Sequence, residues 1–122
     1  MQARLTPLAD LDVAAALRST FDLFGPRQVA TYTELIEAAI CDLAVDPERI
    51  GSRPRPELGR AMRSLHLSHV AGRQRGARHE IYYRVQAAKG GQPELVIMRI
   101  LHDAMDPAGR VKAALRGDLR RS

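Results

Sequence analysis

Four side chains in this sequence could act on a phosphate or bind an acidic group. Arg84 lies in the apolar run 81–85 and Arg99 in the apolar run 94–102, while Arg63 and His102 flank these runs. A charge inside a buried strand costs several kcal/mol unless it is paired, so these arginines either face outward or have a purpose. Arginines that stabilise a phosphorane, with a histidine that moves a proton near neutral pH, could cleave RNA at a ribose 2′-hydroxyl.

The same residues have two other interpretations. An arginine on the open face of a sheet can stack on a tyrosine and pair with a carboxylate such as Glu80 or Asp103, which is a structural role. Alternatively, arginine forks bind the carboxylates of a partner protein, beside methionines that give adaptable apolar contact. The candidate binding set is Arg63, Tyr82, Arg84, Arg99, His102, Met105 and Asp106. His66 and His69 lie on a predicted surface strand, and we expect His79 to be solvated.

Length and composition predict one domain over residues 1–122. The sequence contains no run of 18 apolar residues and no charged-then-apolar leader, so we expect a cytoplasmic protein that is neither membrane-spanning nor secreted. Cys41, the single cysteine, is expected to be a small buried hydrophobe in a reducing compartment. The spacing of Cys and His residues predicts no metal site, and no glycine pattern predicts a phosphate-binding cofactor site.

Charge is distributed unevenly along the chain, whose net charge is +5. Residues 1–50 hold four Arg against eight acidic residues, whereas residues 53–84 hold eight Arg against two Glu, and residues 85–122 hold seven basic against four acidic residues. This pattern fits either a solvated surface or an acidic partner. The tyrosines and phenylalanines look buried, so base stacking is disfavoured and we predict no direct specific DNA binding.

The first half of the chain predicts a short strand at residues 2–5 followed by two helices. Thr6 and Pro7 suit an N-cap and a first turn, and Gly25-Pro26 separates the helices. Residues spaced by three and four form one apolar stripe on each helix, and these are Leu8, Leu11, Ala14, Leu17, Phe21 and Phe24, then Val29, Tyr32, Ile36, Ile40 and Leu43. The two helices should therefore form an antiparallel hairpin.

The second half predicts an irregular connector at 47–61 and strands at 63–70, 79–86 and 94–101. A mobile basic loop is expected at 71–78, a short helix begins after Asp106-Pro107, and residues 116–122 should be frayed. The order is (β)ααβββ(α). We predict an α+β domain in which the helical hairpin packs on one face of a small twisted antiparallel sheet, while the other face remains uncovered.

Six short segments, in this order, resemble the RelE/ParE superfamily of bacterial type II toxins, and the ParE branch most closely. They are LTPLAD (5–10), FG (24–25), RPRPELG (53–59), MRSL (62–65), IYYRV (81–85) and RILHDAMDP (99–107). The resemblance covers roughly residues 4–107, and the segment around 70–78 looks longer than is usual in the family.

The resemblance implies a cytoplasmic toxin held inactive by a cognate antitoxin, whose acidic, disordered C-terminal segment folds over it in a hetero-oligomer. ParE-like members are associated with DNA gyrase, and RelE-like members with messenger RNA cleavage on the ribosome. On alignment by eye, the RelE branch's catalytic arginines fall on Glu80 and near Ala104, and its late tyrosine has no equivalent after Tyr83. We therefore favour a gyrase inhibitor over a ribonuclease. A toxin-like fold that has lost toxicity is the third alternative.

The resemblance also places a binding surface. The antitoxin segment could lie on the sheet face opposite the hairpin, where it would meet Arg84 and Arg99. An acidic segment should bind more tightly at low salt, and charge reversal at either arginine should weaken the complex.

Overall fold

The computed structural model describes residues 1–71 and 76–121, and it confirms the predicted α+β class and element order. One strand precedes two long helices, four more strands follow them with a short helix in between, and a last helix comes after the strands. The elements are β1 (Gln2–Leu5), α1 (Pro7–Phe24), α2 (Pro26–Val45), β2 (Arg53–Pro54), a 3₁₀ turn (Pro56–Leu58), β3 (Arg63–His66), α3 (Ser68–Ala71), β4 (His79–Ala87), β5 (Pro93–His102) and α4 (Pro107–Arg121).

The strands form one sheet in the order β1-β5-β4-β3-β2. Neighbours from β2 to β5 are antiparallel, as predicted, but β1 lies parallel to β5, with Leu5 opposite Ile97. The sheet is therefore mixed rather than entirely antiparallel. The whole length of the hairpin and meander separates β1 from β5, and such a long connection permits parallel pairing where a tight turn does not.

The two predicted helix boundaries are confirmed. Thr6 Oγ1 accepts a hydrogen bond from the Ala9 amide at 3.1 Å and donates to the Met98 carbonyl at 2.7 Å, so the cap also ties α1 to β5. Gly25 ends α1 with φ +86°, a conformation that favours glycine, and Pro26 begins α2.

The apolar stripe predicted for α2 is confirmed, whereas the stripe predicted for α1 is correct only at Leu8 and Leu17, which are half-buried against the apolar clusters. Ile36 and Leu43 are buried against β4 and β5. In α1 the buried residues are Ala9 and Ala16, whereas Leu11, Phe21 and Phe24 are exposed. The hydrogen bonds of Thr6 fix the rotation of α1 about its axis. Ala9 and Ala16 are small, so they allow α1 to approach the sheet and α2 closely.

The far side of the sheet is covered, so the prediction of an uncovered face is wrong. Tyr82, Val96 and Met98 pack there against Val111 and Ala114 of α4 in a second apolar cluster. The sheet consequently has helices on both sides, and α4 is a full element of 15 residues instead of a short helix with a frayed end.

The prediction of a frayed tail at 116–122 is wrong for the part of the tail that the structure describes. Asp118 is only 5% exposed, and its two carboxylate oxygens accept hydrogen bonds from Arg4 at 2.7 and 3.2 Å. Gln86 adds a third hydrogen bond to the same carboxylate at 3.2 Å. These contacts anchor α4 to β1 and β4 near its C-terminal end.

Three further expectations are corrected or fall outside the described residues. The strand predicted at 63–70 ends at His66, because the His66 side chain binds the Ser68 hydroxyl and amide and turns the chain into α3. Cys41 is exposed rather than buried. The predicted basic loop at 71–78 falls mainly on residues 72–75, outside the described residues.

Candidate functional site

Arg99 is bound within the protein. Its Nε and Nη2 donate to the Asp12 carboxylate at 2.7 and 2.8 Å, and its Nη1 donates to the Arg110 carbonyl at 3.1 Å. Both side chains of the pair are largely buried, at 13% and 12% exposure. Arg99 thus joins β5 to the start of α1 and to α4. Its role is structural, but its partner is Asp12 and not Glu80 or Asp103, the carboxylates considered from the sequence.

Arg84 and Tyr82 lie on the α4 side of the sheet. Arg84 is half-buried and donates from Nε to Gln86 at 2.9 Å. Tyr82 is 6% exposed, and the guanidinium over its ring, 5.4 Å from the centroid, belongs to Arg55. Arg55 in turn binds Glu80 at 3.2 Å. The stacking on Tyr82 that the structural interpretation offered for Arg84 or Arg99 is therefore supplied by a different arginine.

Arg63 points to the other side of the sheet. It pairs across from Tyr83, donates from Nε to Ser52 at 2.9 Å and lies 3.5 Å from Glu48. The Tyr83 hydroxyl binds the same Ser52 hydroxyl and donates to the Pro47 carbonyl. Arg63 therefore belongs to a network that fixes the segment after α2.

The four nuclease candidates do not converge on one point. Arg63 and Arg84 project on opposite faces, because they align with consecutive positions of β4. His102 pairs with His79 at the far end of the same ladder, and Arg84 lies five residues along it, about 16 Å away at the usual rise of a strand. Arg99 is already bound to Asp12.

A separate cleft lies at the tip of the helical hairpin. It occupies about 540 Å³ between the adjoining ends of α1 and α2 and the ends of β4 and β5 where His79 and His102 pair. The side chains that matter for its chemistry are Leu23, Phe24, Tyr32, Arg78, His79 and His102. We call this region the hairpin cleft.

Polar groups in the hairpin cleft form a short chain. The Arg78 amide donates to the Tyr32 hydroxyl at 3.3 Å, and the same hydroxyl shares a hydrogen bond of 2.7 Å with His79 Nδ1. The rings of His79 and His102 meet edge to face, with centroids 5.3 Å apart. His102 Nδ1 accepts from the Ala104 amide at 3.0 Å. His102 therefore accepts at Nδ1, and the two rings link Tyr32 to the Ala104 backbone.

Burial sets the charge of this chain of groups. It lowers the pKa of His79 to about 4, and repulsion from His102 acts in the same direction. Burial also raises the pKa of Tyr32. His79 is consequently neutral at physiological pH, and the expectation that it would be solvated is wrong.

His79 should make the protein less stable in mild acid. The folded-state pKa lies below the unfolded value near 6.5, so its contribution is complete above pH ~6.5 and is lost as the pH falls towards 4. Between pH ~7.5 and ~5 the loss should reach at most about 2 kcal/mol, since partial exposure screens the charge. Urea unfolding of wild type and His79→Gln measures this difference, and an identical pH dependence in both proteins would contradict it.

The rim of the hairpin cleft is apolar and exposed. Leu23 and Phe24 line the cleft where α1 ends and are 70% and 69% exposed, and Phe21, which is 54% exposed, lies less than one turn earlier in α1, outside the cleft lining. Exposed apolar side chains that lie next to one another often mark a surface that binds another molecule.

Two further residues of the predicted binding set lie at the start of α4. Met105 is exposed, and Asp106 caps α4 through a 3.3 Å hydrogen bond from the Ala108 amide.

Sequence reasoning placed His102 in a site but missed its neighbours Tyr32, Arg78 and His79. Tyr32 was assigned only to the apolar stripe of α2, and nothing local shows that its hydroxyl meets a strand 47 positions away. The sequence held one signal for this site. His79 begins one predicted strand and His102 follows the other, and in a hairpin with strands of similar length these two ends lie opposite each other.

A protein-family model described as the ParE toxin of the type II toxin–antitoxin system parDE matches residues 3–107. This chain belongs to the ParE toxin family. Membership makes it the toxin of a type II toxin–antitoxin pair and implies an antitoxin partner. No curated protein matches the sequence significantly. The ParE match ends where α4 begins, so the α4 contacts described above lie beyond it.

No helix among the described residues is long and apolar enough to cross a membrane. No group of three or more His, Cys, Asp or Glu side chains among them has the arrangement of a metal site.

Proposed function

We propose that this ParE-family toxin acts by binding DNA gyrase and does not cut RNA. The observation that argues against RNA cleavage is the dispersal of the four candidate nuclease groups over both faces and both ends of the sheet. General acid–base catalysis needs those groups within hydrogen-bond reach of one substrate. The arginines among them instead hold the fold together, Arg99 through Asp12 and Arg63 through Ser52. The gyrase part of the proposal is supported by the ParE family match, since ParE-like members are associated with DNA gyrase.

We further propose that a cognate antitoxin neutralises the toxin by laying an acidic, amphipathic segment into the hairpin cleft. Leu23 and Phe24 supply exposed apolar area, and Arg78 on the lining supplies positive charge. A segment that folds on binding uses this combination, with steering by charge and anchoring by apolar side chains. His102 of the predicted binding set lies in this cleft, whereas Tyr82 and Arg99 are buried under α4 and α1.

Variants at the rim test the antitoxin site. Leu23→Glu with Phe24→Glu removes two apolar anchors and adds charge that repels an acidic segment, so antitoxin affinity should fall at least about thirtyfold. The matched control is Val45→Glu with Ile50→Glu, an exposed apolar pair of 87% and 90% exposure on other parts of the surface. Titration calorimetry with the purified antitoxin gives both affinities. Equal losses in the two variants would rule out the hairpin cleft.

Expression in a sensitive host tests the mode of action. Wild type should arrest growth and induce DNA-damage signalling, because trapped gyrase leaves broken DNA. The rim variant should still arrest growth but escape neutralisation by the antitoxin, since the rim is proposed to bind the antitoxin and not gyrase.

A RelE-like ribosome-dependent ribonuclease is the second candidate, favoured by one observation. His102, Tyr32 and Arg78 surround one cleft, and they include a proton donor and a cation. Arrest accompanied by cleaved transcripts, with cleavage lost in His102→Ala, would support this alternative and overturn gyrase inhibition. Absence of arrest would indicate a toxin-like fold that retains only antitoxin binding.

A further inference from the structure

The solvent side of α4 carries only positive charge among the side chains that the structure describes. Arg110, Lys112 and Arg116 are exposed along it. Asp118, the acidic residue of this helix, is turned inward and bound to Arg4. The sequence continues with two more arginines at positions 120 and 121.

The helix geometry brings part of this charge together. Lys112 and Arg116 are four residues apart and therefore lie one above the other on the same side of α4. Arg60 adds an exposed cation beside the helix, because it follows Gly59, where an added Cβ would come within 2.8 Å of Leu115 Cδ1. Gly109 and Gly117 have open space around them on the outer side, so a large, elongated ligand can approach the helix backbone closely.

These cations differ from the arginines of the sheet. Arg4, Arg55 and Arg99 each form ion pairs with carboxylates, whereas no carboxylate among the described residues lies within 4.0 Å of Arg60, Lys112 or Arg116. The partner for their charge must come from outside the part of the chain described, from solvent ions or from a polyanion.

We propose that α4 and the adjoining Arg60 bind the phosphate backbone of double-stranded DNA without reading its sequence. Phosphate contacts need exposed cations and close approach, both of which this surface offers. An acidic peptide needs several apolar anchors as well, whereas the described side chains beside the cations on the outer side of α4 are Ala and Gly, with Leu119, three residues after Arg116 on the same face, as the single larger apolar group among them. This inference goes beyond gyrase inhibition and needs neither gyrase nor the antitoxin.

Fluorescence anisotropy with a short labelled DNA duplex tests the proposal on the full chain. Three phosphate contacts predict that the logarithm of the binding constant falls with the logarithm of salt concentration with a slope of about −3, between about 50 and 200 mM salt. Lys112→Glu with Arg116→Glu should weaken binding at least about tenfold and bring the slope nearer to zero.

The matched control is Arg18→Glu with Arg27→Glu, which reverses two exposed charges on the helical hairpin and changes net charge equally. The control should bind DNA within about threefold of wild type, and thermal melts should show that all three proteins are folded. Equal weakening in both variants would overturn the proposal in favour of net charge alone. Absence of duplex binding near 50 mM salt, or tighter α4-dependent binding of polyglutamate than of DNA, would also overturn it.

Discussion

Asp12→Ala should lower the free energy of unfolding by about 3–5 kcal/mol. The Asp12 carboxylate accepts two hydrogen bonds from Arg99 and a third from the Ile100 amide at 3.0 Å. Removing it leaves a largely buried guanidinium and a backbone donor without their acceptor. Urea unfolding monitored by circular dichroism measures the loss.

Asp10→Ala is the matched control, because Asp10 is an exposed carboxylate one half-turn away in the same helix. It should cost no more than about 1 kcal/mol, the usual contribution of an acidic residue at a helix N-terminus. If Asp10→Ala and Asp12→Ala lowered the free energy of unfolding by similar amounts, the ion pair with Arg99 would not be a major source of stability.

The Asp12 contact changes what charge reversal at Arg99 would mean. The sequence suggested that Arg99 grips an antitoxin, so that its reversal would weaken the complex directly. In the structure Arg99 is bound inside the protein. A reversed Arg99 should therefore weaken any complex mainly by unfolding the toxin, and a melt of the free variant distinguishes this from loss of a contact.

Asp118→Ala, or truncation after residue 115, should lower the free energy of unfolding by about 2–3 kcal/mol. Either change removes the carboxylate that binds Arg4 and Gln86 and joins the end of α4 to β1 and β4. The value is below that for Asp12, because the Arg4 side chain is 35% exposed and water can solvate it in part.

The pH dependence supplies a second readout for Asp118. Burial alone raises the pKa of its carboxyl, but hydrogen bonds from Arg4 and Gln86 and the charge of Arg4 outweigh burial and lower that pKa. Its contribution is therefore complete above the unfolded-state pKa near 4 and is lost as the pH falls through the lower folded-state value. Arg116→Ala, an exposed change in the same helix, should leave stability within about 0.5 kcal/mol. If the truncated chain were as stable as wild type, the original prediction of a frayed tail would be correct.

The sequence predicted most of the fold because its strongest signals are local. Thr6-Pro7 and Gly25-Pro26 act through caps and backbone conformation that need no tertiary contact. The alternation of residues in 79–86 and 94–101 likewise specifies a hairpin. The phase of α1 escaped prediction, because it depends on the Thr6 bond to Met98, 92 positions away.

The candidate site was predicted less well, for a related reason. Assigning partners to Arg84 and Arg99 required knowing that α4 and Asp12 reach them, and both contacts join distant parts of the chain. Prediction of the tail failed because its composition resembles that of a solvated end, while Asp118, which anchors it, binds Arg4, 114 positions away. His102 was found because it ends a strand, but its cleft comes from the hairpin tip.

Supercoiling by purified gyrase, measured in the presence of this toxin, distinguishes gyrase inhibition from RNA cleavage. Wild type should inhibit supercoiling or trap cleaved DNA, and Leu23→Glu with Phe24→Glu should do the same, whereas added antitoxin should reverse inhibition by wild type only. Gyrase that works unimpeded beside folded toxin, together with transcripts cut on ribosomes by the same preparation, would overturn gyrase inhibition.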